Sequence, residues 1–72
     1  MSLLTHAFVI EKYGMRLNAE KLANFLEISK PALYNQISAR TCPVKTYIDG
    51  GSRWADALHV AEYLDAIRLT AV

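Results

Sequence analysis

The segment from Ser29 to Arg40 combines amide, hydroxyl and small side chains at helical spacing. Asn35 and Gln36 carry amides of the kind that pair with adenine in the DNA major groove, and small residues allow a helix to approach the bases. Lys30 falls in the first helical turn, where the recognition helices of DNA-binding proteins present their base-contacting side chains. Hydroxyl groups and the free N–H groups at the helix start suit phosphate oxygens. The candidate DNA contacts in this segment are Ser29, Lys30, Pro31, Ala32, Tyr34, Asn35, Gln36 and Arg40.

The run KTYIDGGSRW, residues 45–54, places positive charge on both sides of a sharp turn. Lys45 and Arg53 stand where a two-stranded loop beside a recognition helix would meet phosphates. For the helix considered by itself, the competing interpretation is a polar face that is exposed only to water. The second segment favours a contact with DNA. The candidate contacts here are Lys45, Tyr47, Gly50, Gly51, Ser52 and Arg53.

Two short helices joined by a tight corner are predicted to position the first segment. Asn18 is suited to cap the earlier helix, which should end near Leu26 or Glu27. Its predicted buried stripe is Leu22, Ala23, Phe25 and Leu26. Only Glu27 and Ile28 separate the two helices, so the pair must cross sharply, as in a helix-turn-helix.

The later helix of this pair has its own start signals. Ser29 is a favourable N-cap, and Pro31 lies in the first turn, where its missing N–H has no helical partner to lose. Leu33 and Ile37 are one turn apart and are predicted to face the core. The polar and small residues then lie on the opposite, exposed face.

A β-hairpin is predicted for residues 44–54, where β-forming side chains flank two glycines. If the two glycines are the central turn residues, Tyr47 pairs with Trp54. If Asp49 and Gly50 are central, every cross-strand partner shifts and the faces exchange. The sequence leaves both registers open, and Trp54 is expected to anchor the return strand in the core.

Two further helices complete the predicted order of helix, helix, turn, helix, hairpin and helix. The first covers about residues 3–13 and ends before Gly14, a favourable C-terminal residue. Its apolar side chains either complete the core or form a dimer contact. The last helix begins after Asp56, a suitable cap. Its predicted buried stripe is Leu58, Ala61, Tyr63, Leu64 and Ile67.

The chain of 72 residues is long enough for one small domain, residues 1–72, mainly α-helical with a small β-hairpin. Its one cysteine, Cys42, cannot form an intrachain disulfide, and with two distant histidines it makes no zinc pattern. No metal, cofactor or enzymatic activity is expected, because paired catalytic groups and a phosphate-binding loop are missing. Neither a membrane span nor a secretory signal is apparent, so the expected location is the cytoplasm.

The net charge of +1 is unevenly distributed along the chain. Residues 1–28 carry three bases and three acids, so their charges cancel. Residues 29–53 carry four bases and one acid, which gives a net charge of +3. Residues 54–72 carry one base and three acids, which gives −2. The positive charge is therefore concentrated in the two candidate segments. Because phosphate contacts set affinity for DNA, so low a total charge predicts weak binding by a single copy.

With these residues identified, the sequence resembles the winged helix-turn-helix domains of MerR-type regulators and phage excisionases. The resemblance covers about residues 17–67. It is carried by LNAEKLANFLEISKPALYNQI, CPVKTYIDGGSRW and ADALHVAEYLDAI. The strongest matches to the family pattern are Ile28-Ser29, Leu33-Tyr34, Pro43, Gly50-Gly51, Arg53-Trp54 and Tyr63-Leu64.

The sequence departs from the family pattern at three positions. Glu27 stands in the corner where glycine is usual, so that corner must adopt its backbone conformation without glycine. Gln36 stands where the family often has an apolar residue, and Ser52 replaces a common arginine of the wing.

The resemblance implies a sequence-specific DNA-binding protein without enzymatic activity. Excisionases of this family bind neighbouring sites in several copies, bend the DNA and direct a recombinase towards excision, and many also regulate transcription. MerR-type regulators carry a coiled coil and an effector domain, whereas this chain ends soon after Ile67, which favours an excisionase or a small stand-alone regulator. The implied partners are double-stranded DNA, further copies of the chain as a dimer or cooperative array, and a site-specific recombinase. A winged-helix module that binds proteins is the alternative from another class.

Overall fold

The computed structural model describes residues 2–71 and shows a mainly helical fold with a small antiparallel sheet. Its elements in chain order are α1 (Leu3–Tyr13), β1 (Arg16–Asn18), α2 (Ala19–Leu26), α3 (Lys30–Ala39), β2 (Tyr47–Asp49), β3 (Ser52–Asp56) and α4 (Ala57–Leu69). The strand order is β1–β3–β2, and both neighbouring pairs are antiparallel. The predicted helix-rich fold with a hairpin is confirmed at this level. None of the helices within residues 2–71 has the length and apolar character needed to cross a membrane.

Side-chain caps fix the starts of α2 and α3. Asn18 Oδ1 accepts a hydrogen bond from the Lys21 N–H at 2.8 Å, and Ser29 Oγ accepts one from the Ala32 N–H at 3.2 Å. Each bond satisfies an N–H group that has no partner within its own helix. Both predicted N-caps are therefore confirmed, as is the position of Pro31 in the first turn of α3.

The corner between α2 and α3 closes without glycine. Glu27 has a φ of 59°, in the left-handed region that glycine adopts most easily. Its N–H donates to the Asn24 carbonyl at 3.1 Å, and the Ile28 N–H donates to the Ala23 carbonyl at 3.0 Å. These bonds satisfy carbonyls at the end of α2 and hold the corner tight.

The core is formed by small and branched apolar side chains from the helices, from β1 and β3, and from Val44 in the loop before β2. Its largest fully buried side chains are Leu17, Leu22, Leu33 and Val60. Phe25 of α2 makes edge-to-face contacts with Tyr13 of α1 and Tyr63 of α4, each with ring centroids 6.1 Å apart. These aromatic contacts connect three helices around the buried cluster.

Helix α1 takes part in the core and also presents an apolar face to solvent. Val9 is buried, so the interpretation that this helix completes the core is supported. Leu3, Leu4 and Phe8 are nevertheless 81%, 65% and 60% exposed. Among residues 2–71, none covers these three side chains.

The hairpin has one of the two registers that the sequence left open. Gly50 and Gly51 are the central turn residues, with φ values of 61° and 80°. Tyr47 pairs with Trp54, and Ile48 pairs with Arg53. This type of hairpin turn needs a positive φ at both central positions, and glycine adopts a positive φ without strain.

Strand β1 is not predicted from the sequence, in which Asn18 stands out only as the cap of the second helix. Leu17 pairs with Ala55 near the end of β3, and both side chains are fully buried. Three residues are too few to show the alternation that identifies a strand. The pairing with β3 therefore decides the conformation of this segment.

The core positions expected for three residues were wrong. Trp54 does not join the core, because Ala55 occupies the buried face of β3 and neighbouring strand residues point to opposite faces. Leu58 and Ile67 of α4 are 36% and 44% exposed, whereas Val60 is fully buried. Because β3 continues directly into α4, the strand and the packing against α1 set the rotation of that helix.

Asp65 joins α4 to the start of α1. Its two carboxylate oxygens accept hydrogen bonds from the Ser2 N–H at 2.6 Å and from Thr5 Oγ1 at 2.9 Å. The bond from the Ser2 N–H, followed by the bond from Thr5, lowers the pKa of Asp65 below its ordinary value of 3.8. The ionised form of Asp65 is thus the form that the folded protein favours.

This pKa shift predicts an acid-sensitive contribution to stability. The contribution is present above pH 3.8 and is lost as pH falls through the lower pKa of the folded state, because protonation removes the preferred acceptor. Urea unfolding of the wild type and Asp65→Asn, measured from neutral pH to well below 3.8, should therefore show a difference in stability that is steady near neutral pH and shrinks once the pH falls below 3.8. Glu62→Gln, an exposed carboxylate on the same helix, is the control and should show no comparable difference. A constant difference across this range would contradict the prediction.

Candidate nucleic-acid interface

Helix α3 has one fully buried side chain and a broad exposed face. Leu33 is the buried residue, and the half-buried Ile37 extends its side of the helix. The half-buried Ala32 and Gln36 form an inner flank. The exposed residues are Lys30, Pro31, Tyr34, Asn35, Ser38 and Ala39. Most of this face is small or polar, which suits the approach of a helix to base edges.

A groove of about 480 Å³ lies between α3, the β2–β3 hairpin and the start of α2. Five of the residues predicted from sequence line it, and they come from both predicted segments. These residues are Lys30, Tyr34, Gly51, Ser52 and Arg53. The fold thus brings the beginning of α3 and the tip of the hairpin to the same groove.

The hairpin register decides which side chains face this groove. Arg53 and Ile48 are cross-strand partners, and both line the groove. Tyr47 and Trp54 form the neighbouring pair, whose side chains point to the opposite, outer face of the sheet. One face of the hairpin therefore offers a guanidinium group and an aliphatic side chain towards α3.

The groove carries two cationic side chains and one anionic side chain. Lys30 and Arg53 supply the positive charges, and Glu20 at the start of α2 supplies the negative charge. Arg53 Nη1 donates to Thr46 Oγ1 at 2.9 Å, which orients the half-buried guanidinium group. A guanidinium has five N–H donors, so this bond leaves others for an anionic ligand.

The remaining predicted residues do not line the groove. Asn35 and Pro31 lie on the exposed face of α3, beside the groove residues, whereas Gln36 lies on the inner flank. Ser29 serves as the N-cap, and Ala32, whose N–H binds it, is half-buried. The exposed Arg40 ends α3 with a left-handed φ of 59°. The other three belong to the hairpin segment. Lys45 is exposed before β2 and Gly50 is exposed at the turn, whereas Tyr47 lies on the outer face.

Six groove residues were missed by reasoning from sequence. They are Asn18, Ala19, Glu20, Ile37, Ser38 and Ile48. Ser38 follows Tyr34 by four positions, so helical spacing alone predicts that both share a face. Glu20 gives no comparable signal, because only the tertiary fold brings the start of α2 to this groove.

The outer face of the sheet carries a separate polar cluster. Arg16 Nη1 donates to Asp49 Oδ2 at 2.8 Å, and its guanidinium carbon lies 4.0 Å from the centre of the Trp54 ring. The Tyr47 hydroxyl donates to Asp56 Oδ1 at 2.7 Å. This hydrogen bond raises the pKa of Tyr47, because ionisation would place a second negative charge beside Asp56. Asp56 thus occupies the predicted cap position of α4 but makes no side-chain cap bond.

Within residues 2–71, no group of three His, Cys, Asp or Glu side chains is arranged to hold a metal ion. Cys42 is a half-buried free thiol. His59 Nδ1 and Gln36 Oε1 are buried, and neither has a hydrogen-bond partner among the described residues.

Comparison with known proteins finds no matching protein family, no similar curated protein and no similar solved structure. The function is therefore inferred from the arrangement of side chains on α3 and on the hairpin.

Proposed function

We propose that this chain is a sequence-specific DNA-binding protein of the winged helix-turn-helix type. In this proposal α3 is the recognition helix in the major groove, and the β2–β3 hairpin is a wing against the neighbouring backbone. The observation that carries the proposal is the groove shared by the exposed side of α3 and the hairpin tip, with Lys30 and Arg53 in its lining. A helix fits the DNA major groove, which is about 12 Å wide.

The side chains divide between base recognition and backbone contact. Asn35 projects from the exposed face of α3 and has the donor and acceptor needed for adenine. Lys30, Arg53 and the hydroxyls of Tyr34 and Ser38 line the groove, where a phosphodiester strand would pass. The phosphate contacts would set the register of the helix, and Asn35 would supply sequence preference.

The more specific role that we propose is that of an excisionase, which the sequence resemblance supports. Several copies would bind neighbouring sites, bend the DNA and favour excision by a site-specific recombinase in the cytoplasm. A stand-alone transcription regulator is the alternative within the same class. Recombination assays with and without the chain separate the two, since only an excisionase shifts the recombinase towards excision.

Self-association is part of this proposal. Leu3, Leu4 and Phe8 give α1 an exposed apolar face, and a net charge of +1 is small for tight binding by one copy. Contacts between copies on adjacent sites would add binding energy without added charge. The same apolar face favours a protein-binding module as the second candidate function.

Mobility shift of labelled duplexes tests the proposed class. The DNA upstream of the chain's own gene is the first duplex, and titrations are repeated across salt concentrations, with circular dichroism to verify folding. We expect retardation at low salt that weakens steeply as salt rises, because phosphate contacts release counterions. Steeper-than-hyperbolic titration would indicate cooperative copies. A folded chain that retards no duplex at low salt would exclude DNA binding and leave the protein-binding module.

Arg53→Ala is expected to weaken binding to every DNA sequence alike. The loss should be roughly fivefold, or about 1 kcal/mol, for one charge-assisted contact to a phosphate. The slope of log affinity against log salt should decrease by about one unit. Arg68→Ala on α4 is the matched control, because it removes the same charge outside the groove. If Arg53→Ala behaves like Arg68→Ala, the hairpin does not contact DNA.

A further inference from the structure

Asp49 places a carboxylate at the tip of the hairpin. It is the one acid among residues 29–53, it directly precedes the Gly50-Gly51 turn, and its side chain is 63% exposed. DNA phosphates approaching the turn would meet this negative charge. A wing with an unneutralised Asp49 is therefore poorly suited to the contact proposed for it.

Arg16 of β1 balances the charge of Asp49 and fixes its position. Its Nη1 contacts Asp49 Oδ2 at 2.8 Å, and its guanidinium group stacks on Trp54, with the carbon 4.0 Å from the ring centre. The Trp54 indole N–H in turn donates to the Asp49 main-chain carbonyl at 3.2 Å. One arginine and one tryptophan thus fix the side chain and the backbone of the same residue.

We propose that Arg16 is a positioning residue for DNA binding, which neutralises Asp49 and holds the hairpin tip in place without contacting DNA itself. This inference rests on the proposed DNA-binding function. Arg16 projects on the face of the sheet opposite Arg53, and its guanidinium group is already engaged by Asp49 and Trp54. Lysine would not replace it, because an ammonium group lacks the planar surface that stacks on indole.

A set of charge variants tests this role in DNA binding. Arg16→Ala should bind DNA about three- to fivefold more weakly at low salt, because the negative charge of Asp49 at the hairpin tip is then no longer neutralised. The double variant Arg16→Ala/Asp49→Asn should recover to nearly the affinity of Asp49→Asn alone. Arg68→Ala, which lowers the net charge equally, controls for long-range charge and should bind more tightly than Arg16→Ala.

Two outcomes of these titrations would overturn the inference. If Arg16→Ala binds as tightly as Arg68→Ala, the ion pair has no role in DNA binding. If the double variant stays as weak as Arg16→Ala, the released charge of Asp49 does not cause the loss, and Arg16 does not act by neutralising Asp49. The wild-type titration separates these failures from failure of the proposed function, because absence of any binding by the folded wild type removes DNA binding altogether.

The fluorescence of Trp54 gives a readout that needs no DNA. Trp54 is the single tryptophan of the chain, so its emission reports this cluster alone. In Arg16→Ala the indole loses its stacked guanidinium group, and acrylamide should quench it more strongly than in the wild type. Thermal unfolding followed by circular dichroism verifies that the variant is folded. Unchanged quenching in the folded variant would show that Arg16 does not hold the hairpin tip.

Discussion

Leu33→Ala is expected to lower the free energy of unfolding by about 2–5 kcal/mol. Leu33 is the one fully buried side chain of α3, with no exposed surface, so alanine leaves a cavity where α3 meets the core. A domain of this size has a total stability of roughly 4–11 kcal/mol, at about 0.05–0.15 kcal/mol per residue. The substitution therefore removes a large part of what keeps α3 in place.

Leu69→Ala is the matched control for this prediction. Leu69 lies in α4 and is 88% exposed, so the same change there should alter stability by no more than about 0.5 kcal/mol. Urea unfolding followed by circular dichroism measures both variants, and the midpoint of Leu33→Ala should fall by more than about 1 M. Equal midpoints for the two variants would mean that α3 is not held by Leu33.

The attachment of α3 through one buried residue leaves the rest of its surface available. Ile37, Ala32 and Gln36 are only half-buried, and the remaining side chains face solvent. In the proposed function, the exposed side chains would set base preference, and they can vary without disturbing the core. Such a division between a small anchoring face and a broad exposed face is what a recognition helix requires.

The helices were predictable because local side chains specify their ends. The predicted bounds of α1, residues 3–13, agree with the structure, and Gly14 N–H donates to the Ile10 carbonyl at its C-terminal end. Asn18 and Ser29 specify the starts of α2 and α3 by hydrogen bonds to N–H groups three residues later. Interactions of this kind depend on nearby sequence alone.

The errors occurred where distant parts of the chain decide the conformation. Strand β1 forms because Leu17 pairs with Ala55, which lies 38 positions later. Trp54 has the size and apolar ring of a core residue, yet it packs against Arg16 on the outer face. The spacing of Leu58 and Ile67 fits a buried stripe, but the junction of α4 with β3 turns them outward. None of these contacts is visible in local periodicity.

The candidate site was predictable in its parts and not in its arrangement. Helical spacing predicts the exposed face of α3, and the two glycines predict the turn of the hairpin. Only the register, with Ile48 opposite Arg53, shows which hairpin residues face α3. The role of Asp49 likewise depends on Arg16, which belongs to a strand that the sequence did not reveal.

Asn35→Ala is expected to reduce binding to the preferred DNA sequence by about 1–3 kcal/mol and to relax the preference at one base pair. Asn35 is exposed on α3, and an asparagine amide pairs with adenine through two hydrogen bonds. Alanine is the better helix former, so the exposed substitution should not weaken the fold. A loss of affinity then reports the lost contact and not unfolding.

Asn24→Ala is the matched control, since Asn24 is an exposed asparagine on α2 outside the groove. Competition titrations with duplexes mutated one base pair at a time measure the preference of each protein. We expect Asn24→Ala to keep the wild-type preference and Asn35→Ala to lose it at an A·T pair, with the salt slope unchanged because no phosphate contact is removed. A uniform loss across all duplexes would assign Asn35 to the backbone, and no loss at all would show that this face of α3 does not recognise bases.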